Sequence, residues 1–501
     1  MRRGDRAMNG WKVASLAAAA ALILVPALSS AAPRRDRALE AQLRAHIEVL
    51  ASDEFEGREP GTDGEARTLR YIGREMFAMG LESGTNDPAH EWFAPVTLVG
   101  REPAGSFANF MRRGRPVSVP AGSVLMLTSG KRTVLRAAPL LFVGMGEGPP
   151  PPRSELAGRV AVLLDGGKDG TERQNALIAA GASAVLTVLD GDRTLENVTD
   201  RRQRSGYALA GEALGGDLDG YITRAAMDRL LAGGGDASVA ALEAEAARAG
   251  FAPRLLDLAA NLEATTRETT IRTHNVIGKL PGRRPEAGAV LFVAHWDHFG
   301  VCAEAPAEDV ICNGAIDNAS GVASLIEIAR RLVKAPQPDR DIYFVATTAE
   351  ELGLLGAKAF ADNPPLPLGQ IVAAFNIDSN ALAPAGTPLG IVGRGMTRLD
   401  PQIAAVARRE KRRIVDGTAA NAYVRRQDGW ALLQHDVPAV LVSSAYGDIT
   451  RIEDFFEGDY HRPGDGVKAG LELGGAAEDV AFHVALGRWF ADVRRVPPVV
   501  K

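Results

Sequence analysis

Between Thr273 and Ser443 short apolar runs recur with segments of helical period between them, and this spacing predicts strands buried on both faces. The runs are Asn275–Leu280, Ala289–His295, Asp341–Thr347, Ile371–Ile377, Leu389–Val392 and Ala439–Ser443. Continuous apolar runs are what a largely parallel sheet covered by helices requires, because neither face of such a strand meets water. After the helix-start signals Asn318 and Ser320, the residues Val322, Leu325, Ile326, Ala329, Leu332 and Val333 fall on one helical stripe. Near the amino end, Leu43, Ile47 and Leu50, then Tyr71, Ile72, Met76 and Met79, predict helix, loop, helix over residues 38–81, with turn chemistry at Gly57–Gly61. The stretch Ala476–Val493 predicts an amphipathic helix that closes the sheet.

From Gly122 to Gly250 the texture differs. Apolar runs such as Leu140–Val143 and Val160–Leu164 alternate with Gly and Pro breaks, and Pro149–Pro152 mark a surface loop. Here Arg173–Ala182 reads as a helix and Ala184–Leu189 as a following strand, a small α/β module of its own. The expected fold class is therefore α/β: a mostly parallel, doubly wound sheet flanked by helices, with a smaller α/β domain inserted. The expected boundaries are 1–32 for a signal peptide, 36–121 for the first part of the main domain, 122–250 for the insert and 251–497 for the rest.

The length of 501 residues suits two or three globular units, and 46% hydrophobic with 24% charged residues is the balance of an ordinary folded protein. A net charge of -5 leaves no global basic field, which argues against nucleic acid as a partner. At the start, Arg2, Arg3, Arg6 and Lys12 precede an apolar run from Val13 to Leu28 and then Ser29, Ser30, Ala31 and Ala32. That is the pattern of a secretory signal, with cleavage near Ala31 or Ala32, an exported protein that is periplasmic or secreted, and no stable membrane insertion afterwards. Export places Cys302 and Cys312 where disulfides persist, and the two are expected to pair.

Carboxylates and imidazoles fall at the ends of the predicted strands. His295 and Asp297 follow one run, Glu350 and Glu351 the next, and Asp378 a third. In a doubly wound sheet these carboxyl ends open into the ligand crevice. Taken singly, each residue has an ordinary reading: a bonded structural histidine, an acidic first turn, an Asp317 cap, a loop His461. Gathered in one cleft, the acids would repel one another, and a divalent cation resolves that conflict. Imidazole mixed with carboxylate suits zinc, with manganese or cobalt as substitutes.

Five ordered segments carry a resemblance: Ala294-His295-Trp296-Asp297-His298, Asn313 to Gly321, Thr348 to Gly353, Asn376-Ile377-Asp378 and Tyr460 to Asp465. With Leu50 to Arg58 and Asn275 to Gly278, they make the chain resemble metallopeptidase family twenty-eight, the co-catalytic di-zinc exopeptidases. The resemblance implies two Zn2+ per chain, peptide substrates and a role for each residue. Asp317 would bridge the metals, His295 and Asp378 would complete one site, and Glu351 and His461 the other. Glu350 would be the general base, Asp297 the carboxylate that orients His295, and Tyr460 a donor to the oxyanion. His298 is not required by the metal pattern and is expected to be structural or substrate-lining. Residues 122–250 resemble the protease-associated domain that many relatives insert, through Leu156 to Val160 and Ala180 to Val185. The implied activity is that of an aminopeptidase; alternatives are a carboxypeptidase, which would need cations such as Arg394, Arg425 or Arg426, and a receptor-like binding protein of the same fold.

Overall fold

A computed structural model describes residues 35–145, 148–165, 171–190, 193–204, 206–212, 217–235, 238–304, 306–468 and 471–497; the expected signal peptide lies outside them. The helices that share a core with the sheet include α1 (Arg37–Leu50), α2 (Asp63–Ala78), α3 (Ser320–Val333) and α4 (Gly474–Phe490). The main strands of the sheet, in chain order, are β1 (Phe93–Arg112), β2 (Val124–Thr128), β3 (Arg132–Phe142), β4 (Val160–Leu164), β5 (Ala184–Val188), β6 (Leu218–Ile222), β7 (Arg254–Leu280), β8 (Ala289–His295), β9 (Asp341–Thr347), β10 (Ile371–Asn376), β11 (Gly390–Val392) and β12 (Ala439–Ser443).

One continuous sheet has the order β11-β12-β10-β8-β9-β7-β3-β4-β5-β6-β2, with β1 paired to β7. Its centre is parallel: β8 runs with β9 in register from Ala289 opposite Asp341 to His295 opposite Thr347, and β10 lies on the other side of β8. Every residue of β8 is buried, and successive side chains serve different cores. Val290, Phe292 and Ala294 face α1, α2, α3 and α4, whereas Ala289, Leu291 and Val293 join Tyr343, Val345 and Phe360 on the opposite face. That double coverage is why the sequence there shows an unbroken apolar run.

Parallel order does not extend through the whole sheet. β7 is antiparallel to β9, β1 and β3, and β11 is antiparallel to β12. The run Asn275–Leu280 is only the end of β7, whose earlier residues bury Leu256, Leu258, Ala260, Leu262 and Ala264 with polar residues between them. Such alternation marks one-sided burial, and it left β1 and most of β7 outside the expected strands. A second core gathers Phe110, strands β3 to β6 and this part of β7. Beyond it, Tyr207 and Leu209 pack with Leu98, Ala349 and Leu352, next to the turn that carries Glu350 and Glu351. Cys302 and Cys312 form a disulfide, as expected, beside the antiparallel pairing of Gly300–Val301 with Ile311–Cys312.

On α4, His483 is buried with its ring 6.1 Å from the rings of both Phe292 and Phe375, and its Nδ1 donates to the Asp479 carbonyl at 2.8 Å. Burial lowers this imidazole to about 4, and the charge of Arg412 adds to the effect. An unfolded chain takes up this proton near the ordinary histidine value, whereas the folded chain resists it. The stabilisation is therefore full above pH ~6.5 and is lost as pH falls towards ~4. Urea unfolding from pH 7 to pH 4 should show the wild type losing about 3 kcal/mol more than His483→Gln. Equal acid losses in the two proteins would contradict this assignment.

Candidate metal centre

Adjacent parallel strands deliver the site. His295 ends β8, Glu350 and Glu351 follow β9, and Asp378 follows β10. Asp317 lies just ahead of α3, after a turn at Gly314 with φ +55°, where an added Cβ would sit 2.2 Å from the Asp317 carbonyl and 2.7 Å from the His298 ring. Only glycine allows that approach. His461 comes from the loop after the helix Ile449–Glu457, so chain far from the strands completes the ring.

The expected residues converge. His295 Nε2 lies 3.2 Å from Asp317 Oδ1 and 3.6 Å from Asp378 Oδ1. His461 Nε2 lies 3.3 Å from Asp317 Oδ2 and 2.9 Å from Glu351 Oε2. The two oxygens of Asp317 thus face different imidazoles, each of which also meets a second acid. Ligand atoms of His295, Asp317 and Glu351 all lie within 4.8 Å of one another, as do those of His295, Glu350 and Asp378. Both Nε2 atoms are buried without a hydrogen bond despite these close oxygens. Buried nitrogens and oxygens aimed at common points, and not at each other, fit a donor set for cations, and imidazole with carboxylate is the chemistry of zinc.

Electrostatics point the same way. Burial raises Glu350 well above the usual carboxylate range, and Glu351, Asp378 and Asp428 add repulsion against the pull of His295. Asp378 is raised by burial as well. Burial alone would lower the His461 imidazole, but Asp317 and Glu351 outweigh it and push it up to about 9. Burial opposes the charge on His295 too, and Glu350, Asp317 and Asp378 together raise it above the ordinary imidazole value. These acids recruit positive charge from whatever source is at hand.

Around the ring, further groups hold the donors in place. His298 Nδ1 is 2.6 Å from Glu351 Oε1, which gives this histidine a supporting role behind an acid. Asp465 accepts the backbone N–H groups of Ile316 and Asp317 at 2.8 and 3.0 Å. Asn318 donates to the Ile377 carbonyl at 3.0 Å and accepts from the N–H groups of Gly321 and Ser379. The carboxylate of Asp297 does not bond His295: it lies 3.7 Å from Nδ1, and the nearer oxygen, at 3.2 Å, is the Asp297 backbone carbonyl. That carboxylate instead accepts the N–H groups of Glu350 and Glu351 at 3.1 and 3.3 Å, fixing the acidic turn. Asp428, a residue that sequence reasoning missed, is buried beside the site and accepts from the Thr347 hydroxyl.

In the sequence, Arg58 stands out only as the last residue of the segment that begins at Leu50. Fully buried, it donates to the carbonyls of Trp296 at 2.8 Å, Leu50 at 2.8 Å, Asn313 at 2.6 Å and Gly314 at 2.9 Å. One guanidinium thereby ties the exit of β8 and the Asp317 loop to the end of α1. Gly57 permits this seat, since a Cβ there would lie 2.4 Å from the Cys312 carbonyl at a φ of +63°. Tyr460 lines a narrow cleft with Asp317, Glu350, Asp378, Ser379 and Tyr446. Of the arginines weighed as carboxylate receptors, Arg426 lines this cleft; Arg394 is held by the carbonyls of Val415 and Gly417, and Arg425 sits over Trp430.

Residues 275–481, which carry the whole ring, match the family described as Peptidase family M28. That match spans less than half of the chain. Among similar proteins, Aminopeptidase YwaD of Bacillus subtilis (strain 168) is 34% identical over 119 residues, 23% of this chain and 23% of that protein. The Alkaline phosphatase isozyme conversion protein of Escherichia coli (strain K12) is 33% identical over 103 residues, 19% of this chain and 29% of its own. A Vacuolar membrane protease of Lachancea thermotolerans is 31% identical over 103 residues, 21% of this chain and 10% of its own. The chain therefore spans less than a third of the length of these relatives. The solved aminopeptidase from Aneurinibacillus sp. strain AM-1 shares the fold, with a TM-score of 0.54 at 20% identity over 90% of this chain and 93% of that one.

Replacing Arg58 by Met leaves four buried carbonyls without their donor, at a cost of at least about 3 kcal/mol. Urea unfolding of Arg58→Met reads this directly, and a change below about 1 kcal/mol would contradict the clamp.

Proposed function

We propose that this chain is an exported di-zinc exopeptidase that releases amino-terminal residues from peptides. The observation that carries the proposal is the Asp317 carboxylate, one oxygen facing His295 with Asp378 and the other facing His461 with Glu351. In this reading His295, Asp317 and Asp378 would hold one ion and Asp317, Glu351 and His461 the other. Bound zinc in such a pair supplies Lewis-acid activation of a carbonyl and of water near neutral pH.

The chain's own groups do the rest. Glu350 has no hydrogen-bond partner for its carboxylate among the described residues and lines the cleft, so it takes the proton of the attacking water and returns it to the leaving amine. Its ionised form is the one required, and the positive charge that the ring recruits opposes the burial that otherwise raises it. The Tyr460 hydroxyl, in the same cleft, donates to the oxygen that gains charge as the carbonyl carbon becomes tetrahedral. Acids at the ring suit a free α-amine, which is the basis for amino-terminal release. Of the three cations weighed for a carboxypeptidase, Arg394 and Arg425 are engaged away from the cleft and Arg426 alone lines it.

Residues 122–250 are assigned as a protease-associated domain, supported by the second core and by Tyr207 and Leu209, which brace the Glu350 turn and limit the room beside it. Export is supported by the amino-terminal pattern and by the Cys302–Cys312 bond. Among the described residues no helix is long and apolar enough to cross a membrane.

After zinc loading and desalting, metal analysis should find two ions per chain in the wild type and in Glu350→Gln, and fewer in His461→Ala. Glu350→Gln should lose roughly 10²- to 10⁴-fold in kcat on aminoacyl substrates. Near-normal turnover by this variant refutes the base assignment, and full metal content in His461→Ala refutes the ligand assignment.

A further inference from the structure

The mechanism leaves one charged group of the cleft unused. Arg426 lines the same cavity as Asp317, Glu350 and Asp378. Its guanidinium lies 4.6 Å from the centroid of the Phe456 ring and 5.4 Å from that of Tyr460. Aromatic faces favour a cation without neutralising it. Its electrostatic neighbours are the phenols of Tyr460, Tyr446 and Tyr423, and among the described residues no carboxylate forms a salt bridge with it. This contrasts with much of the rest of the chain, where arginines such as Arg330 and Arg331 pair with acids like Glu327 and Glu75.

A guanidinium without an acidic partner, beside a cation-binding ring, has a definite consequence for what enters. It repels cationic side chains, and its planar set of N–H donors matches a carboxylate. Contact with two rings restricts how far this solvent-exposed side chain swings, which keeps its donors at the rim of the cleft. The tyrosines beside it add hydroxyls that can bond the same anion.

We propose that Arg426 is a specificity-determining residue that selects peptides carrying a carboxylate within one residue of the scissile bond. This inference rests on the exopeptidase reading. Two sources supply such a group: the acidic side chain of an amino-terminal Asp or Glu, or the free terminal carboxylate of a dipeptide.

The test uses the full zinc-loaded chain and two matched pairs. Glu-Ala-amide against Gln-Ala-amide isolates the side chain, and Leu-Ala against Leu-Ala-amide isolates the terminal carboxylate. At low ionic strength the charged member of one pair should show kcat/KM higher by about five-fold or more, expressed mainly in KM, and salt should shrink the difference. Arg426→Gln should erase that preference, while Arg426→Lys should keep part of it, having the charge but not the fork. Equal rates for both members of both pairs, or a preference that survives in Arg426→Gln, overturn the inference while leaving the exopeptidase standing. If the glutamine variant does not fold, the wild-type pairs at low and high salt decide: a preference that salt does not shrink overturns it. Absence of turnover on all four peptides by protein holding two zinc ions defeats the exopeptidase reading, and this inference with it.

Discussion

The carboxylate of Asp317 meets two imidazoles from opposite ends of the second half of the chain, and each imidazole meets another acid. With Glu350 beside them, four carboxyl groups share a space that excludes most water. Such a cluster is untenable without positive charge, since each acid raises the pKa of its neighbours and burial penalises every ionised form. The fold nonetheless places Glu350, Glu351 and Asp378 just beyond its central parallel strands and Asp317 just ahead of α3. A pocket so expensive to leave empty of charge is suited to hold cations, and the rest of the structure serves to keep its donors in place.

That support comes from both ends of the chain. Arg58, between α1 and α2, reaches under the ring to the carbonyls that precede and follow its key residues, while Asp465, near the carboxyl end, holds the N–H groups of the Asp317 loop. Between them, Asp297 fixes the Glu350-Glu351 turn and His298 backs Glu351. Each bond satisfies a buried polar group that would otherwise cost on the order of 1–3 kcal/mol. Geometry and stability are therefore coupled, and loosening one supporting group affects fold and site together.

The inner strands were legible in the sequence because burial on both faces writes an unbroken apolar run; β8, β9 and β12 begin and end where those runs do. The ring of donors was legible because strand ends are where a doubly wound sheet exposes its chemistry. What escaped was of two kinds. β1 and most of β7 alternate polar and apolar residues, so their pairing, and the antiparallel join to the second core, left no run to read. Roles that depend on distance through space also escaped: Arg58 and Asp428 lie far in sequence from the groups they serve, and Asp297 binds backbone N–H groups where a side-chain partner had been expected.

Whether paired cations reconcile these acids is open to direct measurement. X-ray absorption fine structure at the zinc edge, recorded on the loaded protein, reports both ligand type and metal–metal distance. Paired ions held by Asp317 predict a shell of nitrogen and oxygen donors only, with a zinc–zinc scattering vector at about 3.5–4 Å. Isolated zinc without that vector, or a shell containing sulfur, would contradict it.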